Sequence, residues 1–312
     1  MSSARSSGLS TWARSLWGRL DEVATDAGYA EPPPRKGFFT DTSVCIGCKA
    51  CEVACKEWNE VPDDGYLLTG MSYDNTQSLG ASTWRHVAFI EKPVEPASAQ
   101  PPPVDLGMPA VGAPTDQPAA SGEGGIRWLM SSDVCKHCTH AACLDVCPTG
   151  ALFRTEFGTV VVQPDVCNGC GYCVPACPYG VIDVREDDGR AFKCTLCYDR
   201  LKDGRTPACA QACPTESIQY GDLDELRERA AARVEELHGR GVDAARLYGA
   251  DPEDGVGGDG AFFLLLDEPE VYGLPPDPVV TTRDLGSIWK HVGYAAAGLL
   301  ALGIGSSLGG RS

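Results

Sequence analysis

Residues 167–178 read CNGCGYCVPACP, four cysteines and two prolines in twelve positions, with the cysteines spaced C-x2-C-x2-C-x3-C and a proline directly after the last. Thiols packed this closely serve as a disulfide staple, a zinc site or a cage for a larger metal group. The pattern recurs, and the recurrence separates these uses. Residues 45–55, CIGCKACEVAC, repeat it without the final proline. Cys135, Cys138, Cys143 and Cys147 repeat it with a middle gap of four residues, and Pro148 follows. Cys194, Cys197, Cys209 and Cys213 repeat it with eleven residues in the middle, and Pro214 follows. The sixteen cysteines of this 312-residue chain thus form four sets of four, with none left over.

Disulfides demand particular separations between alpha carbons, which gaps of two and three residues rarely allow for every neighbouring thiol. Zinc is the serious competitor. Two C-x2-C pairs set eleven residues apart would pass for a zinc ribbon if the fourth set stood alone. The other three sets decide the matter, because residues 167–178 carry the full bacterial ferredoxin run for iron–sulfur ligation. Three thiolates two residues apart let a short loop wrap one corner of a cubane, with backbone N–H groups turned towards its sulfides. The fourth cysteine leads away and reaches the neighbouring cluster. The proline after it holds that cysteine extended. Sixteen thiols at four per cluster give four [4Fe–4S] clusters.

Exchange of the fourth ligand predicts the wiring. Sets two and three, twenty residues apart, form one two-cluster module. One cluster takes Cys135, Cys138, Cys143 and Cys177, and the other takes Cys167, Cys170, Cys173 and Cys147. Sets one and four then pair across that module. One cluster takes Cys45, Cys48, Cys51 and Cys213, and the other takes Cys194, Cys197, Cys209 and Cys55. The expected fold is α+β: two pseudo-symmetric ferredoxin-like lobes, each holding two [4Fe–4S] clusters, one inserted in the other, with a single C-terminal transmembrane helix.

The rest of the chain is divided accordingly. Residues 1–36 form an N-terminal extension, basic and mildly amphipathic, with no apolar run of a secretory signal and no twin-arginine pair. Residues 37–91 begin the first lobe, 126–185 make the second, and 186–221 complete the first. Short hairpins are expected within them, turning near Gly158 and at Asp188-Gly189. Residues 92–125, rich in Pro, Ala and Gly, read as a flexible insertion. Within 222–284, an amphipathic helix over 222–240 places Leu223, Leu226, Val234 and Leu237 near one face, AFFLLLD at 261–267 reads as a buried strand, and PEVYGLPPDP as an extended surface arm. Residues 285–310 form the anchor, because Val292–Leu308 carries no charge over 17 positions, the lower limit of the ~17–25 residues a spanning helix needs. Small residues at Gly293/Ala297 and Gly305/Gly309 suit close helix packing in lipid.

Acidic residues outnumber basic ones 43 to 26, which argues against a nucleic-acid partner. Such a fold has little ordinary core, so metal binding supplies much of its folding free energy, and residues 40–220 are expected to unfold without clusters. Lys49, Lys56, Lys136 and Lys193 stand beside cysteines, where a cation raises a cluster's potential. His137 and His140 are surplus to a set that already has its four thiols. No catalytic triad, phosphate loop or nucleotide fingerprint appears, so the chain has no substrate site of its own.

These stretches resemble a known family: VCIGCKACEVACKEWN (44–59), YDN (73–75), CNGCGYCVPACPYG (167–180), KCTLCYDRLKDGRTPACAQACPTESI (193–218), DGVGGDG (254–260), YGLPPDP (272–278), and a C-terminal anchor after SIWK (287–290). They resemble the iron–sulfur beta subunit of respiratory formate dehydrogenases of the N and O type, over roughly residues 36–308. The resemblance implies a non-catalytic electron-transfer subunit. Its partners would be a molybdenum- or tungsten-containing, molybdopterin-dependent catalytic subunit and a membrane cytochrome b or quinone-reactive subunit. It also implies a place on the cell membrane, with the clusters on the extracytoplasmic face, exported on the catalytic subunit's signal. The corresponding subunit of a polysulfide, thiosulfate or sulfoxide reductase, or of a hydrogenase, is the alternative. A nitrate reductase beta subunit fits less well, since that family replaces one cluster cysteine with Trp.

Overall fold

The computed structural model describes residue 23 and residues 27–65, 69–70, 73–93 and 125–309. Most of the N-terminal extension and nearly all of the Pro/Ala-rich insertion therefore lie outside the described residues. In chain order, β1 (Lys36–Asp41) leads into the first cysteine loop and α1 (Ala50–Asn59). A long hairpin follows, β2 (Arg85–Pro93) with β3 (Ile126–Val134), and then α2 (Ala142–Asp145). The small hairpin β4 (Leu152–Arg154) and β5 (Val160–Val162) precedes α3 (Cys173–Ala176) and a second hairpin, β6 (Asp183–Val184) with β7 (Ala191–Phe192). Helices α4 (Tyr198–Lys202) and α5 (Ala208–Gln211), strand β8 (Ile218–Asp222) and α6 (Leu223–Gly239) come next. The chain closes with β9 (Arg246–Tyr248), β10 (Ala261–Leu265) and α7 (Leu285–Gly309).

One four-stranded sheet ties the ends of the sequence together, in the order β8-β1-β10-β9. β1 runs parallel to β10, with Phe39 opposite Phe262, and antiparallel to β8. The rings of Phe39 and Phe262 stack 5.3 Å apart. Leu223, Leu226, Ala230 and Leu237, at helical spacing, press α6 onto that face. Asp224 and Glu225 in its first turn suit the positive helix start. An ordinary apolar core thus exists, built mostly from residues 222–266 with Phe39. The cysteine loops lie on the other side of the same sheet, where Phe38 and Phe263 pack among Cys51, Cys135, Cys194 and Cys209.

Three expectations change. The insertion is bounded more narrowly than 92–125: Lys92 and Pro93 continue β2, where they pair with Arg127 and Ile126. PEVYGLPPDP is not extended throughout, and it is partly buried. Pro269–Tyr272 forms a 3-10 turn, Tyr272 and Leu274 are buried, and the Tyr248 hydroxyl donates to the Pro275 carbonyl. Finally, residues 285–309 are helical, yet among the described residues no helix is long and apolar enough to cross a membrane. Ser287, Lys290 and His291 in its first turns and six glycines along it dilute the apolar stretch.

Candidate iron–sulfur cages

Each cysteine loop turns through a left-handed residue immediately before its second cysteine. These are Gly47 (φ 64°), His137 (φ 47°), Gly169 (φ 73°) and Leu196 (φ 57°). Left-handed backbone costs a residue with a Cβ roughly 1–2 kcal/mol. His137 and Leu196 tolerate it because both are held in place by burial, at 1% and 0% exposure. The turn lets two cysteines three positions apart face one centre. A 3-10 turn delivers the first cysteine in two of the loops, Thr42–Val44 before Cys45 and Pro164–Val166 before Cys167.

Hairpins brace the loops. Side chains of β2 and β3, Phe89 and Met130, would lie within 3 Å of a Cβ on Gly47. At Gly169 the neighbour is rigid: an added Cβ would stand 2.2 Å from the Gly189 carbonyl in the β6–β7 turn. Gly169→Ala therefore meets both a backbone clash and a strained φ. The expected outcome is loss of one cluster's worth of iron from this loop, read by iron content and visible absorbance of the purified protein.

The folded chain gathers the thiols into four groups, all without disulfides. Cys45, Cys48, Cys51 and Cys213 line one space, together with Ser132, Thr215 and Ser217. Cys135, Cys138, Cys143 and Cys177 line another, with Lys136, His137, Tyr179 and Lys193. Cys55 stands within electrostatic reach of Cys194, Cys197 and Cys209. Cys173 is likewise close to Cys167, Cys170 and Cys147. The two halves mirror each other: α1 packs on α5 as α2 packs on α3. In the Cys-Pro-Thr turns Thr149 and Thr215 place hydroxyls 3.7 and 3.8 Å from Cys147 and Cys213.

The groups also neighbour one another in succession. Cys51 of the first feels Cys209 of the second, Cys194 of the second feels Cys135 of the third, and Cys143 of the third feels Cys173 of the last. Cys48 is exposed at one end and Cys170 at the other. Exposed apolar side chains flank both, Ile46 and Val53 beside the former, Val166 and Tyr172 beside the latter.

The chemistry of these cages matches a large anionic metal group. Burial, then neighbouring thiols, pushes Cys194 up to about 12 and Cys173 up to about 11, so these two positions disfavour the thiolate in the bare chain. Ligation reverses that balance, since metals bind the deprotonated form. Among the described residues no three donors are drawn in tightly enough for a single metal ion. Lys193, 1% exposed, donates to the carbonyls of Val160 and Cys194 and has no carboxylate partner among the described residues. A buried cation of this kind needs a counter-charge, which a cluster with four thiolates provides. His137 is not idle either. Its Nδ1 accepts the Val160 N–H at 3.1 Å, which leaves the proton on Nε2, a buried atom with no partner. Lys136 is compensated by Asp133, Lys49 by Glu52 and Lys56 by Asp64.

Sequence reasoning missed Arg85. It lies thirty residues beyond Cys55 and no motif marks it. Pairing of Arg85 with Val134 across the β2–β3 hairpin brings it among the thiols, where it is 2% exposed.

Fold and cages together define an iron–sulfur electron-transfer protein. Family models described as "4Fe-4S dicluster domain" match residues 44–151 and 126–223. The chain is 39% identical to the iron–sulfur subunit of the nitrate-inducible formate dehydrogenase of Escherichia coli (strain K12). That match covers 84% of this chain and 79% of the relative. It is 38% identical to the formate dehydrogenase iron–sulfur subunit of Haemophilus influenzae, over 81% of this chain and 72% of the relative. It is 34% identical to the B subunit of the anaerobic dimethyl sulfoxide reductase of E. coli (strain K12), over 62% of this chain and 76% of that one. The chain therefore belongs to the family of formate dehydrogenase iron–sulfur subunits. It carries four [4Fe–4S] clusters and is an electron-transfer subunit, not a catalytic one.

Proposed function

We propose that the chain relays electrons from the molybdenum- or tungsten-containing catalytic subunit of a formate dehydrogenase to a membrane cytochrome b or other quinone-reactive subunit. The observation that carries this is the succession of four thiol groups ending at exposed Cys48 and Cys170. When bound, each cluster supplies one-electron redox chemistry. The chain's own part is to hold the ligands, bury the middle of the succession and open both ends to partners.

The ligand assignment we propose places one cluster on Cys45, Cys48, Cys51 and Cys213, and a second on Cys55, Cys194, Cys197 and Cys209. A third sits on Cys135, Cys138, Cys143 and Cys177, and a fourth on Cys147, Cys167, Cys170 and Cys173. The two lobes are then pseudo-symmetric, with the second inserted in the first.

Helix α7 is assigned to the cell membrane and its membrane partner, with the cluster lobes on the extracytoplasmic face. Support comes from its exposed Trp289, Leu299, Leu300, Leu302 and Ile304 and from the small residues at four-residue spacing. The likeness to the dimethyl sulfoxide reductase B subunit keeps a second reading in view, with another oxidoreductase as catalytic partner. Formate is favoured because those relatives match 84% of the chain rather than 62%.

The test is anaerobic purification of the full chain from detergent-solubilised membranes of its host, with identification of its partners and assay of formate-dependent quinone reduction. A molybdopterin subunit with formate activity is expected. The same partner active only on sulfoxides or sulfur compounds would move the chain to the second reading.

A further inference from the structure

Arg85 is buried between the first two thiol groups. One terminal nitrogen donates to the Ser132 carbonyl at 3.2 Å and to the Ser132 hydroxyl at 3.3 Å. The other donates to Cys209 Sγ at 3.3 Å. The guanidinium lies 5.0 Å from the centre of the Phe38 ring. Ser132 Oγ is itself 3.2 Å from Cys51 Sγ, so the same small network touches a thiol of each group. No carboxylate pairs with Arg85 among the described residues.

We propose that Arg85 is a fixed counter-charge shared by the two clusters nearest the exposed Cys48, and that it raises the reduction potential of the Cys55/Cys194/Cys197/Cys209 cluster most. The physical reason is direct. Each reduction adds a negative charge, and a buried cation with an N–H donated to a ligand sulfur stabilises the reduced form more than the oxidised one. Low polarity around Arg85 keeps that interaction from being screened. Sharing the cation between two neighbouring clusters also lessens their mutual repulsion when both are reduced. Arg85 acts here as a positioning residue for charge and holds no iron. The inference rests on the ligand assignment proposed above.

The experiment is an anaerobic redox titration of the holo-complex followed by electron paramagnetic resonance, with Arg85→Gln, Arg85→Lys and Cys209→Ser beside the unaltered protein. Cys209→Ser identifies the signal by removing or converting it. In Arg85→Gln that signal's midpoint is expected to move to more negative potential, with the signal altered by Cys170→Ser at the far end left in place. Arg85→Lys keeps a charge but withdraws the N–H from Cys209, and the expected shift has the same sign and is smaller. If the glutamine variant fails to load iron, the lysine variant decides. An unchanged midpoint in the loaded variants, with Cys209→Ser still altering the signal, overturns the role of Arg85. If Cys209→Ser leaves every signal intact, the ligand assignment falls, and the inference with it.

Discussion

In Cys48→Ser, formate-dependent quinone reduction by the intact complex should fall to the assay background. Formate oxidation by dyes that take electrons at the catalytic subunit should continue. The separation follows from Cys48 standing at an exposed end of the succession, one of four thiols around a single space. Losing a ligand there removes one link of the relay and touches nothing that binds formate. Cys213→Ser should give the same phenotype and alter the same cluster signal, although Cys213 lies 165 residues further along the chain. Cys55→Ser, a close neighbour of Cys48 in sequence, should instead alter a second signal, the one shared with Cys197. Quinone reduction at the unaltered rate in Cys48→Ser would contradict the relay. Different signals lost in Cys48→Ser and Cys213→Ser would contradict the pairing.

Stripping the iron, with a chelator under oxidising conditions, is expected to unfold the cysteine loops and spare part of the molecule. Structural metal–thiolate sites contribute ~10–16 kcal/mol in zinc peptides, and folding of such sites is inseparable from binding. A well-packed core residue, by comparison, is worth ~3–5 kcal/mol when truncated. The loops around Cys45–Cys55, Cys135–Cys147, Cys167–Cys177 and Cys194–Cys213 gather thiols whose burial favours no folded state alone. The face formed by Phe39, Phe262, Leu264 and α6 buries ordinary apolar area. Hydrogen exchange of the apo chain should therefore show protection lost through the four loops and kept in β1, β10 and α6. Loops that remain protected without iron would show that their packing, not the metal, holds them.

Much of this was legible because metal ligation writes its geometry into short spacings. The four cysteine sets and the hairpins turning at Gly158 and Asp188-Gly189 are local patterns. So is the amphipathic helix after Asp222, which adds only Ala230 to the face read from the sequence. What stayed hidden is non-local. Nothing in KGFFTD at Lys36–Asp41 says that it will lie parallel to Ala261–Leu265, a pairing that closes the sheet from opposite ends of the chain. Arg85 is invisible for the same reason, since only the β2–β3 register carries it to Cys209. The left-handed residues are half legible: glycine at 47 and 169 advertises the turn, while His137 and Leu196 occupy it against their preference. His137 reads as surplus because its set already has four thiols, and its orphaned Nε2 becomes apparent only once Val160 is seen to occupy Nδ1. At the C-terminus the uncharged stretch folds as a helix, but among the described residues it is not long and apolar enough to cross a membrane.

The most direct test is a single anaerobic experiment on the purified complex. Formate is added in the absence of quinone, the sample is frozen, and the iron–sulfur signals are recorded by electron paramagnetic resonance. Quinone is then added and the spectrum repeated. The relay predicts that formate brings up the reduced cluster signals of this chain and that quinone abolishes them. Cluster signals that respond to a strong chemical reductant but stay silent with formate would contradict it.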